Sequence, residues 1–410
     1  MNANQIKVYL MAPALLGVCL TGTAQVSQNA QTASRSAALI DPTMLGEDSI
    51  IHFAGYFDTG YAMPEGNSDD LFTAKYAPIV HYQYQDWLFF EAEGEFGYED
   101  NGTVEKESGL EYANLNFIVN DNLAIGVGKY LSPVGQFVQN LHPSWINKLP
   151  SAPIGFMGGH GSIGATPNAD FGVQARGGFQ TGENSRLNYA LFAGNGPELV
   201  VEDPGDGDLI IEGLNFPAKI EDENSDKALG GRFGFLPIPN LEIGVSFETA
   251  SAAFASVKEA DEHAEEEGDD HGEEEEEDDH GEEGGGSLVR DRDFDVWGVD
   301  FYYAPSAIKN LTLRGEFAST KLSAGRPDEY DRSQKRWEAW YTQASYFFAD
   351  RKLEAVTRYG NFQSNGQPKS KQWALGLNYL LKSNSIIKAA YEFNDSDGDD
   401  TLLFQYAYGF

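Results

Sequence analysis

The sequence predicts an all-β protein: a transmembrane antiparallel up-and-down barrel of 16 strands with an infolded third external loop. Three observations carry that prediction. The first is alternation. In residues 401–410, Leu402, Phe404, Tyr406, Tyr408 and Phe410 fall on one parity, and Thr401, Leu403, Gln405, Ala407 and Gly409 on the other. A period of two marks a strand with one apolar, aromatic face. Ten residues tilted at about 45° are roughly what a strand needs to cross a bilayer. The second observation is that sixteen such runs follow one another. The third is that the connections between them alternate in length.

In chain order the runs are 49–61, 71–85, 87–99, 107–119, 123–131, 169–180, 187–194, 228–236, 241–250, 293–304, 311–322, 335–348, 353–363, 370–381, 386–395 and 401–410. The connections at 85–86, 120–122, 181–186, 237–240, 305–310, 349–352 and 382–385 are short. Those at 62–70, 100–106, 132–168, 195–227, 251–292, 323–334, 364–369 and 396–400 are mostly longer. Alternation alone also suits a soluble sandwich, but a sandwich has no reason to sort its loops by parity. An outer-membrane barrel does, with short turns on the periplasmic side and longer loops outside. An even strand count then places both termini on the periplasmic side.

Composition agrees. The net charge of −36 repels the phosphates of nucleic acid. The 20 Tyr and 26 Phe exclude a disordered acidic chain. Residues 1–24 read as a secretory signal peptide: Lys7 supplies the positive region, 8–20 the apolar core, and Gly22-Thr23-Ala24 the cleavage site. The single cysteine, Cys19, lies within it, so the mature chain has no thiol for disulfides or metal. After the signal, no apolar run reaches the 18 or so residues of a membrane helix. Residues 25–48 read as a flexible N-terminal segment, and 49–410 as the barrel.

Parity assigns the two faces. Leu88, Phe90, Ala92, Phe96 and Tyr98 form one lipid-facing row, as do Phe171, Val173, Ala175 and Phe179. Leu241, Ile243, Val245 and Phe247 form another, and Trp373, Leu375, Leu377, Tyr379 and Leu381 a fourth. The opposite parity lines the pore with Glu91, Glu93, Glu95, Arg176, Arg232, Glu242, Arg314, Glu316, Arg358 and Lys388. It also holds Asp58, Lys75, Glu248, Asp300, Glu354 and Glu392. A charge on the lipid face at the midplane costs about 2–4 kcal/mol, so the assignment is physically forced. Run 335–348 alone is ambiguous, because Arg336 and Glu338 share a parity with Trp340 and Tyr346. Sixteen strands leave an aqueous lumen.

Residues 132–168 are less acidic and more apolar than the other long connections. Phe137, Leu141, Trp145, Ile146, Leu149, Ile154 and Phe156 need a surface to bury against, and the lumen is the nearest. This is the predicted constriction loop, with Phe137, His142, Trp145, Lys148 and His160 as its candidate functional residues. The competing reading is a loop packed over the rim or at a subunit contact.

Sixteen strands, an infolded third loop, a terminal aromatic and a signal peptide resemble the general bacterial outer-membrane porin superfamily. The stretch Lys129-Tyr-Leu-Ser-Pro-Val-Gly135 resembles its phosphate-selective branch. The resemblance implies a homotrimer in the outer membrane of a Gram-negative bacterium. It also implies recognition of Phe410 by the barrel-assembly machinery. One departure matters. Anion-selective members line the channel with Arg and Lys, whereas ten of the inward residues here are acidic and six are basic. Rings of carboxylates favour cations.

The fifth long loop, 256–292, is acidic. Residues 259–283 carry 17 acidic residues, no basic residue and three histidines. One unit repeats as Asp261-Glu-His-Ala-Glu-Glu266, Asp269-Asp-His-Gly-Glu-Glu274 and Asp278-Asp-His-Gly-Glu-Glu283. Imidazole suits zinc, copper or nickel, so His263, His271 and His280, with Asp270, Glu273, Asp279 and Glu282, are candidate ligands for a weakly bound divalent metal. The bland alternative is a solvated charge run. His52, His81, His142 and His160 each stand alone in the sequence and read as structural or lumenal histidines. No catalytic signature is present, and no cofactor is required. The expected function is passive diffusion of small hydrophilic solutes and ions with a cation preference. The alternatives are an anion-selective, phosphate-type porin, or a metal-capturing or partner-sheathing barrel without an open channel.

Overall fold

In the computed structural model, residues 48–66, 69–100, 104–157, 164–202, 209–216, 218, 220, 224–258, 289–395 and 398–410 are described. The predicted signal peptide at 1–24, residues 25–47, His160 and the whole 259–283 repeat lie outside them. The first seven strands are β1 (Ser49–Pro64), β2 (Leu71–Tyr84), β3 (Leu88–Asp100), β4 (Val104–Asn120), β5 (Leu123–Leu131), β6 (Ala169–Gln180) and β7 (Arg186–Gly194). Two short strands follow, β8 (Glu198–Glu202) and β9 (Ile210–Asn215). The remainder are β10 (Ala228–Ile238), β11 (Leu241–Lys258), β12 (Arg292–Tyr303), β13 (Leu311–Leu322), β14 (Lys335–Phe348), β15 (Leu353–Gln363), β16 (Ser370–Lys382), β17 (Ser385–Asn394) and β18 (Thr401–Gly409).

Sixteen of these strands close one antiparallel barrel. Each of β1–β6 pairs with the next, β7 pairs directly with β10, and β10–β18 continue in order. The seam is β1 against β18, from Tyr56↔Gly409 to Pro64↔Thr401. Phe410 extends it: the Gly55 N–H donates to the Phe410 carbonyl at 3.1 Å, and the Phe410 N–H to the Gly55 carbonyl at 2.9 Å. The Phe410 ring stacks on Tyr76 at 6.2 Å. Its place is open because residue 55 is glycine; a Cβ there would meet the Phe410 ring at 2.8 Å.

The outward rows are as parity assigns them. Phe96, Val173, Phe179, Ile243, Val245, Phe247, Trp373, Leu375, Leu377, Tyr379 and Leu381 are all exposed on the outer face. The ambiguous run resolves with Lys335, Trp337, Ala339, Tyr341, Gln343 and Ser345 inward and buried. Arg336 and Glu338 point outward at the strand's loop end, where they pair at 2.6 Å in water rather than in lipid.

The structure differs from the sequence reading mainly at the loop end. There β3 and β4 leave only 101–103 between them, where a loop over 100–106 was expected, and β11 runs on to Lys258. Beyond the bilayer no lipid enforces alternation, so Ser251-Ala-Ala-Phe-Ala-Ser-Val-Lys258 hides its strand character. The acidic connection is accordingly 259–291 rather than 256–292. The connection after β7 contains the unforeseen β8–β9 hairpin, which joins the β11 extension in parallel pairing, Ala253↔Glu198 to Lys258↔Glu202.

The seam generates a prediction. Removing Phe410 deletes two backbone hydrogen bonds and its ring stacks on Tyr76 and Tyr408 at closure, so folding and insertion yield should fall several-fold while inserted molecules conduct as before. Heat-modifiable migration on gels and single-channel recording measure the two separately; undiminished insertion would contradict the role given to the seam.

Candidate functional site

The site is the inner wall of the barrel and the segment lying against it. On the β2–β6 side, the Lys75 ammonium meets the Glu95 carboxylate at 2.5 Å. Arg176 Nη2 donates to Glu91 Oε1 at 3.2 Å and to Asn116 Oδ1 at 2.9 Å. Glu93 lies between these two pairs in sequence and is buried. A bulge in β4 opposite Glu93 and Gly94 inserts Glu111 as an extra residue. Glu111 reaches to 3.9 Å from His142 Nε2, so it joins the inner wall although simple parity had not assigned it there.

Arg232 on β10 forms the densest node. It grips Asp300 with Nε to Oδ2 at 2.9 Å and Nη2 to Oδ1 at 2.6 Å, and it bonds Glu242 at 2.9 Å and Asn188 at 3.2 Å. Such bidentate pairs are stronger and more directional than single ones. Arg314 sits on the same face of β13, beside Tyr302 and Gln343.

Residues 132–157 run along the inward face of β11–β18. The Gly135 N–H donates to Ser246 Oγ at 3.2 Å. The next two amides, Gln136 and Phe137, donate to Glu316 Oε2 at 3.2 and 3.0 Å. Gly135 adopts φ +79, and any Cβ there would collide with the Glu316 carboxylate, so only glycine permits this approach. A single π-helical turn follows at Phe137–Leu141, with His142 Nδ1 against the Val138 carbonyl at 2.5 Å. Farther on, Lys388 Nζ donates to the Ser144 carbonyl and to Gln405 Oε1 at 2.7 Å. Lys148 pairs with Glu354 at 3.1 Å, and its carbonyl accepts from Asn378 at 2.8 Å. Arg358 holds Ser151 and Ala152 with three hydrogen bonds of 2.7–2.9 Å, and Glu392 closes the cluster through Ser151 Oγ. Trp145 lies under Gly409, where a Cβ would be 2.9 Å from its ring.

An apolar core fills the loop end of the interior. Val134, Phe137, Phe156 and Ala165 pack with Leu199, Val201 and Ile211 of the hairpin and with Phe294, Val296, Leu322, Trp337 and Tyr341 from the wall. Phe156 meets Tyr341 edge-on, centroids 5.3 Å apart. The hairpin is tied down at the rim, where Asp331 Oδ2 accepts from the Ile211 N–H at 3.1 Å and from Lys335 at 2.7 Å. Burial works to raise the Asp331 pKa. The Lys335 ion pair and the hydrogen bonds from Ser333 and Ile211 outweigh it and hold the carboxyl below its ordinary range.

Two classes of wall charge result. Arg358, Lys388, Glu354 and Glu316 are sealed under the segment and serve to hold it. Lys75, Arg176 and Lys148, with Glu95, Glu111 and Glu242, keep 22–35 % of their side-chain surface in contact with water. Arg314 is also only half-buried, so among the described residues the water-accessible set has four cations, Lys75, Lys148, Arg176 and Arg314, against the three anions Glu95, Glu111 and Glu242. The sequence tally of ten acids to six bases weighted sealed and accessible groups alike. Two further placements escaped the sequence. His52 and His81, read there as single, are direct cross-strand partners. Among the described residues, no group of three or more His, Cys, Asp or Glu side chains has a metal-holding arrangement.

No protein-family model and no curated protein matches the chain. Solved structures do. The chain is similar to the loop L8 deletion mutant of OmpT, an outer membrane protein of Vibrio cholerae, with TM-score 0.52 and 13% identity over 89% of this chain and 100% of that one. It is similar to the outer membrane channel DcaP of Acinetobacter baumannii, with TM-score 0.51 and 11% identity over 88% and 97%. It is similar to an anion-selective porin from Comamonas acidovorans, with TM-score 0.50 and 12% identity over 88% and 100%. The fold is thus that of bacterial outer-membrane porins. These likenesses do not single out a phosphate-selective branch.

The wall contacts generate a prediction. Arg358→Met removes one partner of a buried pair, a loss of about 3–5 kcal/mol. Amide exchange in 143–157 should accelerate and the thermal midpoint should fall. Arg176→Met, which touches only wall residues, should leave exchange in that segment unchanged. Equal protection of 143–157 in both variants would contradict the anchoring role.

Proposed function

We propose that the protein is an outer-membrane porin through which small hydrophilic solutes and ions diffuse passively, with residues 132–168 setting the narrowest passage. The observation that carries this reading is a closed barrel with an apolar outer belt and a charged, partly hydrated inner wall. The barrel belongs in the outer membrane of a Gram-negative bacterium. The signal peptide at 1–24 would export the chain, the barrel-assembly machinery would insert it, and a homotrimer is the expected assembly; a trimer form of the Vibrio cholerae OmpT is among the similar structures. A passive channel needs neither catalysis nor a cofactor.

The preference proposed is for cations, and its main source is the mouth. The water-accessible wall charges show no acidic excess, whereas the connection between β11 and β12 carries 17 acidic residues and three histidines over 259–283, which would make the mouth negative. A negative mouth raises the local concentration of cations without a fixed binding shell. His263, His271 and His280, with Asp270, Glu273, Asp279 and Glu282, would add weak capture of zinc or a similar ion. One observation favours a second reading, an anion-selective channel: Lys75, Arg176 and Lys148 all reach water.

Reversal potential in a planar bilayer under a salt gradient tests the proposal. The expected sign is that of cation preference, and a clear anion preference would overturn it. Absence of conductance would favour the metal-capturing or partner-sheathing barrel instead. Deleting 259–283 should leave an intact pore whose cation-to-anion permeability ratio drops toward one and whose zinc affinity falls. A deletion variant with unchanged ratio and unchanged zinc binding would remove the role assigned to the loop.

A further inference from the structure

We propose that His52 and His81 form a reversible binding site for a divalent transition-metal ion, zinc, copper or nickel, on the lumen wall near the short-turn end of the barrel. The two residues face each other directly across β1 and β2. Their rings are stacked, with an interplanar angle of 9° and centroids 5.8 Å apart. Both point into the lumen: His52 shares the parity of the buried Asp58, and His81 that of Lys75, which pairs with inward Glu95. His52 is exposed and His81 half-buried, so water and ions in the lumen reach the pair. Phe89 packs against the far side of His81, centroids 5.4 Å apart, and limits where that ring can swing.

The chemistry follows from this placement. A neutral imidazole is a ligand that zinc, copper and nickel accept and that magnesium and calcium do not favour. Zinc–nitrogen bonds of about 2.0–2.1 Å place two nitrogens on one edge of a tetrahedron roughly 3.3 Å apart. Facing Cβ atoms in an antiparallel pair stand about 4.5–5.5 Å apart, so side-chain rotation alone brings two parallel rings to that spacing. Glu91 lies across from His81 on β3, but Arg176 and Asn116 already engage its carboxylate. It adds negative potential beside the pair and is not counted as a ligand. Water completes the shell, as suits an ion that enters from the lumen and leaves again. A site with two protein ligands is weaker than a structural metal centre, and it needs no third side chain in ligating position. It is separate from residues 259–283, which follow β11 at the opposite, loop end of the barrel.

The test is metal binding by the full-length protein in detergent, with His52→Ala, His81→Ala and the double variant compared. Zinc titration and the nitrogen hyperfine pattern of bound Cu2+ are the readouts, and heat-modifiable migration verifies that each variant is folded. Each single substitution should lower the affinity of one site at least tenfold. The double variant should lose no more than either single one, because both act on the same ion. Magnesium in large excess should not compete. The same series in the chain lacking 259–283 separates this site from any binding by the external loop: the histidine-dependent loss should persist there. Unchanged zinc titration and unchanged Cu2+ spectra in the two single variants would overturn the proposal. So would a histidine-dependent loss that vanishes with the loop.

Discussion

The rest of the structure depends on one constraint: within a bilayer, a strand has no water to satisfy its backbone. Every N–H and C=O at membrane depth must be paired, and a sheet meets that demand only by closing on itself. Here closure falls on β1 and β18, continued by the Gly55–Phe410 backbone pair. Once the sheet closes, each residue faces either lipid or lumen. That division accounts for the outward rows of Phe, Leu, Val and Trp and for the inward placement of charges such as Asp58, Glu91, Arg232, Asp300, Glu354 and Lys388, while the outward charges Asp293, Asp295, Lys321, Arg336 and Lys371 lie toward the loop ends of their strands.

The lumen then has a problem of its own. Sixteen strands enclose more space than the wall side chains fill. In this chain residues 132–157 and the β8–β9 hairpin pack against the inner wall, and two kinds of interaction hold them there. At the loop end an apolar core gathers around Tyr341 and Trp337. Deeper along β13–β18, charged wall residues donate to or accept from the segment's backbone, as Glu316 does with two amides and Arg358 with two carbonyls. Wall charges that look like pore-lining groups are therefore partly structural. A carboxylate that caps backbone amides inside the barrel does not also present its full charge to a passing ion.

Selectivity follows from this separation. Arg232 is neutralised by Asp300 and Glu242 within its own node, and Arg358 by Glu392. Among the described groups that reach water, Lys75, Lys148, Arg176 and Arg314 face only Glu95, Glu111 and Glu242, so the wall supplies no acidic excess and a cation preference has to come from the mouth. This is why the proposed cation preference is assigned to the external loop rather than to the wall.

The barrel was largely legible in the sequence because lipid imposes alternation on every crossing, and a one-residue slip would turn a row of charges into the bilayer. Leu375, Leu377 and Tyr379 declare their face without any partner in view, and the ordering of short and long connections gives strand number and direction. Where lipid stops acting, legibility stops too: the β11 extension, the shortened β3–β4 connection and the β8–β9 hairpin lie beyond it. The same holds for contacts across the lumen. Glu111 reaches the wall through a bulge, His52 meets His81 only through β1–β2 register, and Glu316 and Arg358 find residues 135–152 across roughly half the chain's length in sequence. So the sequence by itself determined the barrel, its strand count and its two faces, because these follow from a local period repeated against a uniform solvent. Only the tertiary structure decided which wall charges are sealed, which reach water and which side chains meet, because those depend on how an irregular segment packs inside a closed sheet.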